Sequence, residues 1–226
     1  MADQTPKTAQ TFPKSANQIA WLGILLALIG VGSAGALLFL LDRGPLHTNQ
    51  GVYVNQDVPF SHDHHTEGLG IDCRYCHTSV EESSSAGIPP TATCMNCHKV
   101  IWANTDMLEP VRTSWQTGQP LEWNRVHDLP DYVYFNHSIH VSSGIGCESC
   151  HGPVNEMPLV YQEHSLQMRW CLDCHRNPED FVRPKDEVFN LDWEPRDEGM
   201  SQGELGAMLV SEYGLNPNEN CSTCHR

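Results

Sequence analysis

The chain has 226 residues, with 28 Asp and Glu against 13 Lys and Arg, and its formal net charge is −15. A surface this acidic disfavours binding to nucleic acid and to anionic lipid, and it favours basic partners or the basic faces of a complex. The 15 prolines and 17 glycines indicate a chain rich in loops and turns.

The N-terminal region of the sequence predicts a membrane anchor. Residues 1–18 are polar, with Lys7 and Lys14, and are predicted to form a tail. Residues 19–41 are apolar and uncharged, and at 1.5 Å per residue they would form a helix of about 34 Å, long enough to cross a bilayer. A cleaved signal peptide is the alternative, but the apolar run continues through Leu41, beyond the usual length of such a segment. We therefore expect a retained transmembrane helix.

The rest of the sequence contains five C-x-x-C-H motifs, which use all ten cysteines. They are Cys73/Cys76/His77, Cys94/Cys97/His98, Cys147/Cys150/His151, Cys171/Cys174/His175 and Cys221/Cys224/His225. This motif is the attachment signature of a c-type haem, in which both thiols form thioethers to the porphyrin and the histidine binds the iron. Zinc sites or disulfides are the alternatives, but neither explains a histidine after every second cysteine. The sequence therefore predicts five covalent haems c, each named below by the first cysteine of its motif.

The length of the chain limits the kind of fold that can hold these motifs. About 185 residues follow the apolar segment, or roughly 37 for each motif, which is too few to build an apolar core around each one. We expect the porphyrins to serve as the core, wrapped by short helices and long loops. The predicted fold is a single transmembrane helix plus a loop-rich, mostly α multihaem cytochrome c domain with little or no β-sheet.

Two observations predict the orientation in the membrane. Lys7 and Lys14 precede the apolar segment, which by the positive-inside rule puts residues 1–18 in the cytoplasm. In bacteria, haem is attached to C-x-x-C-H motifs on the outer side of the energy-transducing membrane. Both observations predict a protein of the bacterial inner membrane, with residues 42–226 as a periplasmic haem domain.

An internal repeat organises the haem domain. The pattern Phe-x-His-x-x-His precedes Cys73 and recurs before Cys147, and each of these motifs is followed by another, at Cys94 and Cys171. The histidines of the repeat are His62 and His65 in the first copy and His137 and His140 in the second. The chain is therefore predicted to form two dihaem modules, residues 60–98 and 135–175, with a fifth haem at 221–225.

The repeated pattern resembles that of the class III multihaem cytochromes c. The resemblance implies that the first histidine of each pair, His62 or His137, ligates the haem attached just downstream. It also implies that the second, His65 or His140, ligates another haem. Independently of the family, two imidazoles at positions i and i+3 lie on one helical turn, so the haems on either side of it would be close together.

The remaining sixth ligands are less constrained by the sequence. His164 lies seven residues before Cys171, and His127 lies between the modules, where it could serve the Cys94 haem. His47 and His64 are weaker candidates. Methionine ligands would raise the haem potential, and the candidates are Met157, Met168, Met200 and Met208. The acidic residues 176–220 are predicted to form an extended arm over a partner, ending in a short helix near 203–213.

Iron with protein ligands on both faces has no open position for a substrate, so the predicted role is electron relay rather than catalysis. One apolar segment, motifs in a 2+2+1 order and the phrase I-P-P-T-A-T-C-M-N-C-H at 88–98 are similar to the pentahaem anchored subunit of alternative complex III. The resemblance implies an iron–sulfur subunit, polytopic quinol-binding subunits and a monohaem cytochrome c or other redox acceptor as partners. A self-contained quinol dehydrogenase and a multihaem reductase with one open haem are the alternatives.

Overall fold

The computed structural model describes residues 12–225, in two units, residues 12–47 and 48–225. The first unit consists mainly of helix α1 (Lys14–Arg43), whose 30 residues span about 45 Å. Among the described residues it is the one helix long and apolar enough to cross a membrane, and its most apolar window has a mean hydropathy of 2.6. The predicted apolar segment lies within α1, whereas residues 1–11 of the predicted tail lie outside the described part of the chain.

The second unit is built from short helices and long loops. Its contacts between extended segments are isolated bridges, such as that between Tyr53 and Tyr161, and residues 48–225 contain no β-strand. The predicted fold class is therefore confirmed. The α-helices are α2 (Pro45–Thr48, across the boundary), α3 (Cys73–Cys76), α4 (Thr91–His98), α5 (Glu109–Thr117), α6 (His137–Ser142), α7 (Glu148–His151), α8 (Met168–Arg176), α9 (Gln202–Tyr213) and α10 (Cys221–Cys224).

The two copies of the sequence repeat form turns of different width. The second copy is the α-helix α6, whereas the first is a π-helical turn, Asp63–Glu67, in which the Gly68 N–H donates to the Asp63 carbonyl at 2.8 Å. The first copy has one more residue between its second histidine and the next cysteine. A π-helical turn accommodates one extra residue in a helix, so it keeps the histidines of both copies in equivalent positions.

Residues 178–215 form a compact C-terminal lobe rather than the extended arm predicted from the sequence. Val182, Trp193, Leu205 and Leu209 are buried together in its centre. The prediction was wrong because it rested on the local acidic charge, whereas the burial of these four apolar side chains determines the fold of the segment. The four side chains come together only when the segment folds back on itself. The short helix expected near 203–213 is confirmed as α9, which begins with a capping box between Ser201 and Glu204.

A buried ion pair ties the C-terminal lobe to the Cys147 motif. The Arg183 side chain is 8% exposed and pairs with Glu148, which directly follows Cys147. The guanidinium also lies 4.7 Å from the Trp193 ring and donates to the Asn190 carbonyl at 3.0 Å. Arg183 is therefore held by groups from both the lobe and the motif.

Replacing Arg183 by methionine is expected to destabilise the fold by about 3–5 kcal/mol, because Glu148 is left half-buried without its partner. Arg196→Met is the matched control, since Arg196 is 77% exposed in its pair with Glu194, and it should cost less than about 1 kcal/mol. Denaturant unfolding followed by far-UV circular dichroism measures both. Equal midpoints for the two variants would show that the buried pair adds nothing beyond an exposed one.

Candidate haem sites

Each C-x-x-C-H motif lies in or at the end of a short helical segment. The Cys73 motif forms α3, and the Cys94 motif forms the end of α4. A spacing of three residues puts both thiols of a motif on one side of a helical turn, as attachment to a single porphyrin edge requires. None of the ten cysteines forms a disulfide. Within residues 12–225 no three His, Cys, Asp or Glu side chains cluster as metal ligands, and a structural zinc site would need four.

Four of the five motif histidines are oriented by the backbone. In each, the ring Nδ1 lies within hydrogen-bonding distance of a carbonyl oxygen, so Nδ1 carries the proton and Nε2 keeps its lone pair for a metal ion. The bonds join His77 to Gly87 (2.7 Å), His98 to Ile101 (3.1 Å), His175 to Asn218 (2.9 Å) and His225 to Tyr132 (3.3 Å).

Three histidines of the repeat have the same orientation. Their Nδ1 atoms donate to the carbonyl oxygens of Ser61, Ser84 and Asn136, which again leaves each Nε2 available. The bonds are His65 to Ser61 (2.8 Å), His137 to Ser84 (2.8 Å) and His140 to Asn136 (2.7 Å). These seven histidines therefore present the same donor atom, Nε2, which is the atom that binds haem iron.

Three pairs of histidine rings are separated by the distance that a shared metal ion requires. Two imidazoles that each lie about 2 Å from one metal ion through Nε2 have ring centroids roughly 6 Å apart. The observed centroid distances are 6.2 Å for His65 and His98, 6.2 Å for His140 and His175, and 6.4 Å for His137 and His151. Each pair joins one histidine of the repeat to one motif histidine, so the donor set fits a haem iron with two imidazole ligands.

His62 faces the Cys73 motif. It is largely buried, its Nδ1 has no hydrogen-bond partner, and burial together with the nearby His77 and His65 rings lowers its pKa to about 4. Burial likewise lowers the pKa of His151 to about 3, with smaller contributions from neighbouring histidines that include His127 and His137. Both imidazoles are therefore neutral at pH 7, and the neutral form is the one that binds a metal ion.

A phenylalanine positions the histidines in each copy of the repeat. Phe60 stacks on His65 with centroids 4.4 Å apart and meets His62 edge-on at 4.9 Å. Phe135 does the same in the second copy, stacking on His140 at 4.5 Å and meeting His137 edge-on at 4.8 Å. The sequence shows both phenylalanines at the start of the pattern, but only the structure shows that each one contacts both rings.

His127 and His164 lie close to the Cys147 motif. The His127 ring is 4.2 Å from that of His151, which is too short for a metal ion to lie between them. Its Nε2 is buried without a partner, and burial followed by the nearby His137 and His164 lowers its pKa to about 4. His164 stacks on Trp170 at 5.2 Å. Ligation of iron by His127 or His164 stays a prediction.

The other candidate ligands lie in varied surroundings. His64 is exposed and stacks on Trp102 with centroids 5.5 Å apart, and His47 lies in the first unit. The ring found beside His225 is that of Tyr132, at 5.7 Å. The candidate methionines are Met157, 2% exposed, Met168, 65% exposed, Met208, 48% exposed, and Met200, packed against the core of the C-terminal lobe.

Comparison with known proteins identifies the family. The model of the family described as cytochrome c7 and related cytochrome c matches residues 133–226, which contain the Cys147, Cys171 and Cys221 motifs. The multihaem cytochrome c subunit of menaquinone reductase from Nitratidesulfovibrio vulgaris is 35% identical over 143 residues, covering 54% of this chain and 68% of that protein. The acrylate reductase cytochrome subunit of Shewanella woodyi is 24% identical over 113 residues, covering 50% of this chain and 70% of that protein. The chain therefore belongs to the family of that menaquinone reductase subunit, a family of multihaem cytochromes c that transfer electrons through covalently bound haem, and its residues 133–226 form a cytochrome c7-related region.

Proposed function

We propose that the chain binds five haems c and relays electrons as a membrane-anchored subunit of a quinone-linked oxidoreductase. The observation that carries the proposal is the set of three histidine pairs with ring centroids 6.2–6.4 Å apart. Haem c supplies a one-electron iron couple when bound. The residues of this chain would hold the porphyrins by their thiols. The paired histidines would both ligate the iron of the Cys94, Cys147 and Cys171 haems, which would keep substrates away from these irons.

The proposed ligand pairs follow from the geometry. His65 and His98 would ligate the Cys94 haem, His140 and His175 the Cys171 haem, and His137 and His151 the Cys147 haem. His62 and His77 would ligate the Cys73 haem, and this is supported by the burial of His62 beside the His77 ring. His225 would ligate the Cys221 haem, with its Nδ1 held by the Tyr132 carbonyl.

The relatives support a role within a larger complex. Both are named as cytochrome subunits of reductases, one of menaquinone and one of acrylate. This agrees with a subunit that carries electrons while a partner binds the organic substrate. We infer that α1 anchors the chain in the bacterial inner membrane, with the haem domain on the periplasmic side.

The finer assignment that we propose is the pentahaem subunit of alternative complex III. It is supported by one apolar N-terminal helix, five motifs in a 2+2+1 order and the 88–98 phrase. The partners would be an iron–sulfur subunit, polytopic quinol-binding subunits and a monohaem cytochrome c, with a periplasmic carrier or a terminal oxidase as the final acceptor. Electrons would come from quinol oxidised outside this chain, since its ten cysteines all belong to haem motifs and leave none for an iron–sulfur cluster.

The purified chain is expected to contain five haems per polypeptide, because each motif supplies two thiols and an iron ligand. The mass of the intact chain and a pyridine haemochrome assay measure this number. Four or fewer haems after expression with a complete haem-attachment system would contradict the proposed cofactor content.

Gentle detergent extraction tests the proposed role in a complex. A large iron–sulfur subunit and polytopic membrane proteins are expected to co-purify with the haem chain. A lone chain that oxidises quinol by itself would instead establish a self-contained quinol dehydrogenase. A high-spin haem that turns over a small substrate would establish a reductase.

A further inference from the structure

The five motifs are not arranged in space in the order in which they occur along the chain. Contacts between residues of different motifs join neighbouring motifs. Tyr75 of the Cys73 motif accepts a hydrogen bond from Asn96 of the Cys94 motif at 3.0 Å. Arg74 of the Cys73 motif lies 4.5 Å from the Phe189 ring, and the N–H of Cys147 donates to the neighbouring Val188 carbonyl at 3.2 Å. The Cys94 motif therefore adjoins the Cys73 motif, which lies close to the Cys147 motif.

The repeat histidines join the motifs in two pairs. The first repeat turn carries His62, beside His77, and His65, paired with His98, so it joins the Cys73 and Cys94 motifs. In the second copy, the turn with His137 and His140 joins the Cys147 and Cys171 motifs through its pairs with their histidines.

Hydrogen bonds to backbone carbonyls connect these two halves to each other and to the fifth motif. The His62 N–H donates to the Met157 carbonyl at 3.1 Å, which joins the first turn to the segment after the Cys147 motif. The His175 Nδ1 bonds to the carbonyl of Asn218, three residues before Cys221. The fifth motif therefore adjoins the Cys171 motif.

The exposure of the cysteines distinguishes the two ends from the middle. Cys97 and Cys221 are exposed, whereas the other eight cysteines are half-buried. The two exposed thiols belong to the two motifs that the contacts place at the ends of the series.

We propose that the chain holds its haems in the spatial order Cys94, Cys73, Cys147, Cys171, Cys221, and that partner proteins exchange electrons with it at the two end haems. The inference rests on the proposed five-haem relay. A one-electron donor, an iron–sulfur or haem centre, is oxidised at one end while a one-electron acceptor of the same class is reduced at the other. No bond is formed or broken and no proton is required. The Cys73, Cys147 and Cys171 motifs are interior and contact other motifs of this chain.

The order is tested by tagging one haem at a time with a methionine ligand in the full-length chain in detergent. A methionine ligand raises the potential of its haem, so the tagged haem is reduced first. Each direct neighbour then titrates beside an already reduced iron and shifts to lower potential, an effect that falls with distance.

His65→Met and His62→Met form a matched pair because both residues lie on one turn, and His64→Met, at an exposed position, is the control. EPR-monitored redox titrations, after a haem count, follow all the haems.

The spatial order predicts that His65→Met lowers the potential of one other haem and that His62→Met lowers the potential of two. Haems arranged in chain order would give the reverse result, with two haems lowered in potential by His65→Met and one by His62→Met. Any result other than one haem for His65→Met and two for His62→Met overturns the proposed order. A wild-type chain that lacks five haems, in contrast, overturns the proposed function, so the two failures are distinguishable.

A measurement on the unmodified protein guards against variants that do not fold. A soluble gadolinium complex speeds the spin relaxation of the haems that it can approach. Because Cys97 and Cys221 are exposed, two of the haem signals are expected to relax clearly faster than the others. If all the haem signals relaxed equally, or if a number of signals other than two relaxed faster, the assignment of the two end haems would be overturned.

Discussion

Replacing His65 by alanine is expected to change one haem from low spin to high spin while the other haems keep their spectra. The ring of His65 lies 6.2 Å from that of His98, and its loss would leave the Cys94 iron with one imidazole. The thioethers to Cys94 and Cys97 remain, so the haem stays attached. Low-temperature EPR should show a new high-spin signal and a loss of low-spin intensity equivalent to one haem.

The adjacent His64 provides the control for this result. It is exposed and stacks on Trp102, and within residues 12–225 it forms no pair with a motif histidine like the pair of His65 and His98. His64→Ala should therefore leave the EPR spectrum and the haem count unchanged. If His64→Ala produced the high-spin signal and His65→Ala did not, the proposed ligand set of the first turn would be wrong.

Replacing Gly206 by alanine is expected to destabilise the C-terminal lobe by about 1–3 kcal/mol or more. Gly206 is buried where α9 crosses the turn Pro178–Asp180, and an added Cβ would overlap the backbone carbonyl of Glu179. A backbone atom cannot rotate away as a side chain can, so α9 would have to shift. The shift would disturb the packing of Leu205 and Leu209 in the lobe.

Gly203 in the same helix is the matched control. A Cβ at Gly203 would contact nothing within 4 Å, and alanine is the better helix former, so Gly203→Ala should leave stability unchanged or raise it by up to about 1 kcal/mol. Denaturant unfolding followed by circular dichroism compares the two variants. Equal destabilisation by both would show that loss of glycine itself, and not the close approach to Glu179, is responsible.

The sequence was sufficient to predict the chemistry of the haem motifs. The positions of Cys73, Cys76 and His77 within one helical turn depend only on local spacing, and the same is true of His62 and His65. Local spacing survives folding because a helical turn fixes it. The fold class and the repeat could therefore be predicted without long-range information.

The partners of the second repeat histidines could not be predicted in this way. Which motif histidine faces His65 or His140 depends on how the turns pack against helices α4 and α8. The carbonyls that orient the rings also come from distant segments, for example Ser84 for His137. Sequence patterns carry no information about such contacts, because they form only when the chain is folded.

The C-terminal lobe could not be predicted for a different reason. Its apolar residues, such as Val182 and Trp193, are separated by acidic stretches and show no single period over the whole segment. Only α9 has the local pattern and the capping box that identify it as a helix. Scattered apolar residues in a charged segment therefore gave the appearance of an exposed arm.

The backbone carbonyls that orient the haem-binding histidines have a consequence for biogenesis. His175 depends on Asn218, 43 residues further along the chain, and His225 depends on Tyr132, 93 residues before it. In the proposed periplasmic location, the haem domain would be exported beginning with the part next to α1, so the ring of His175 would not be oriented until Asn218 had followed it. We expect thioether formation at Cys171 and Cys174 to precede final axial ligation there. Maturation of the Cys171 haem would then occur in two stages separated by the folding of the C-terminal lobe.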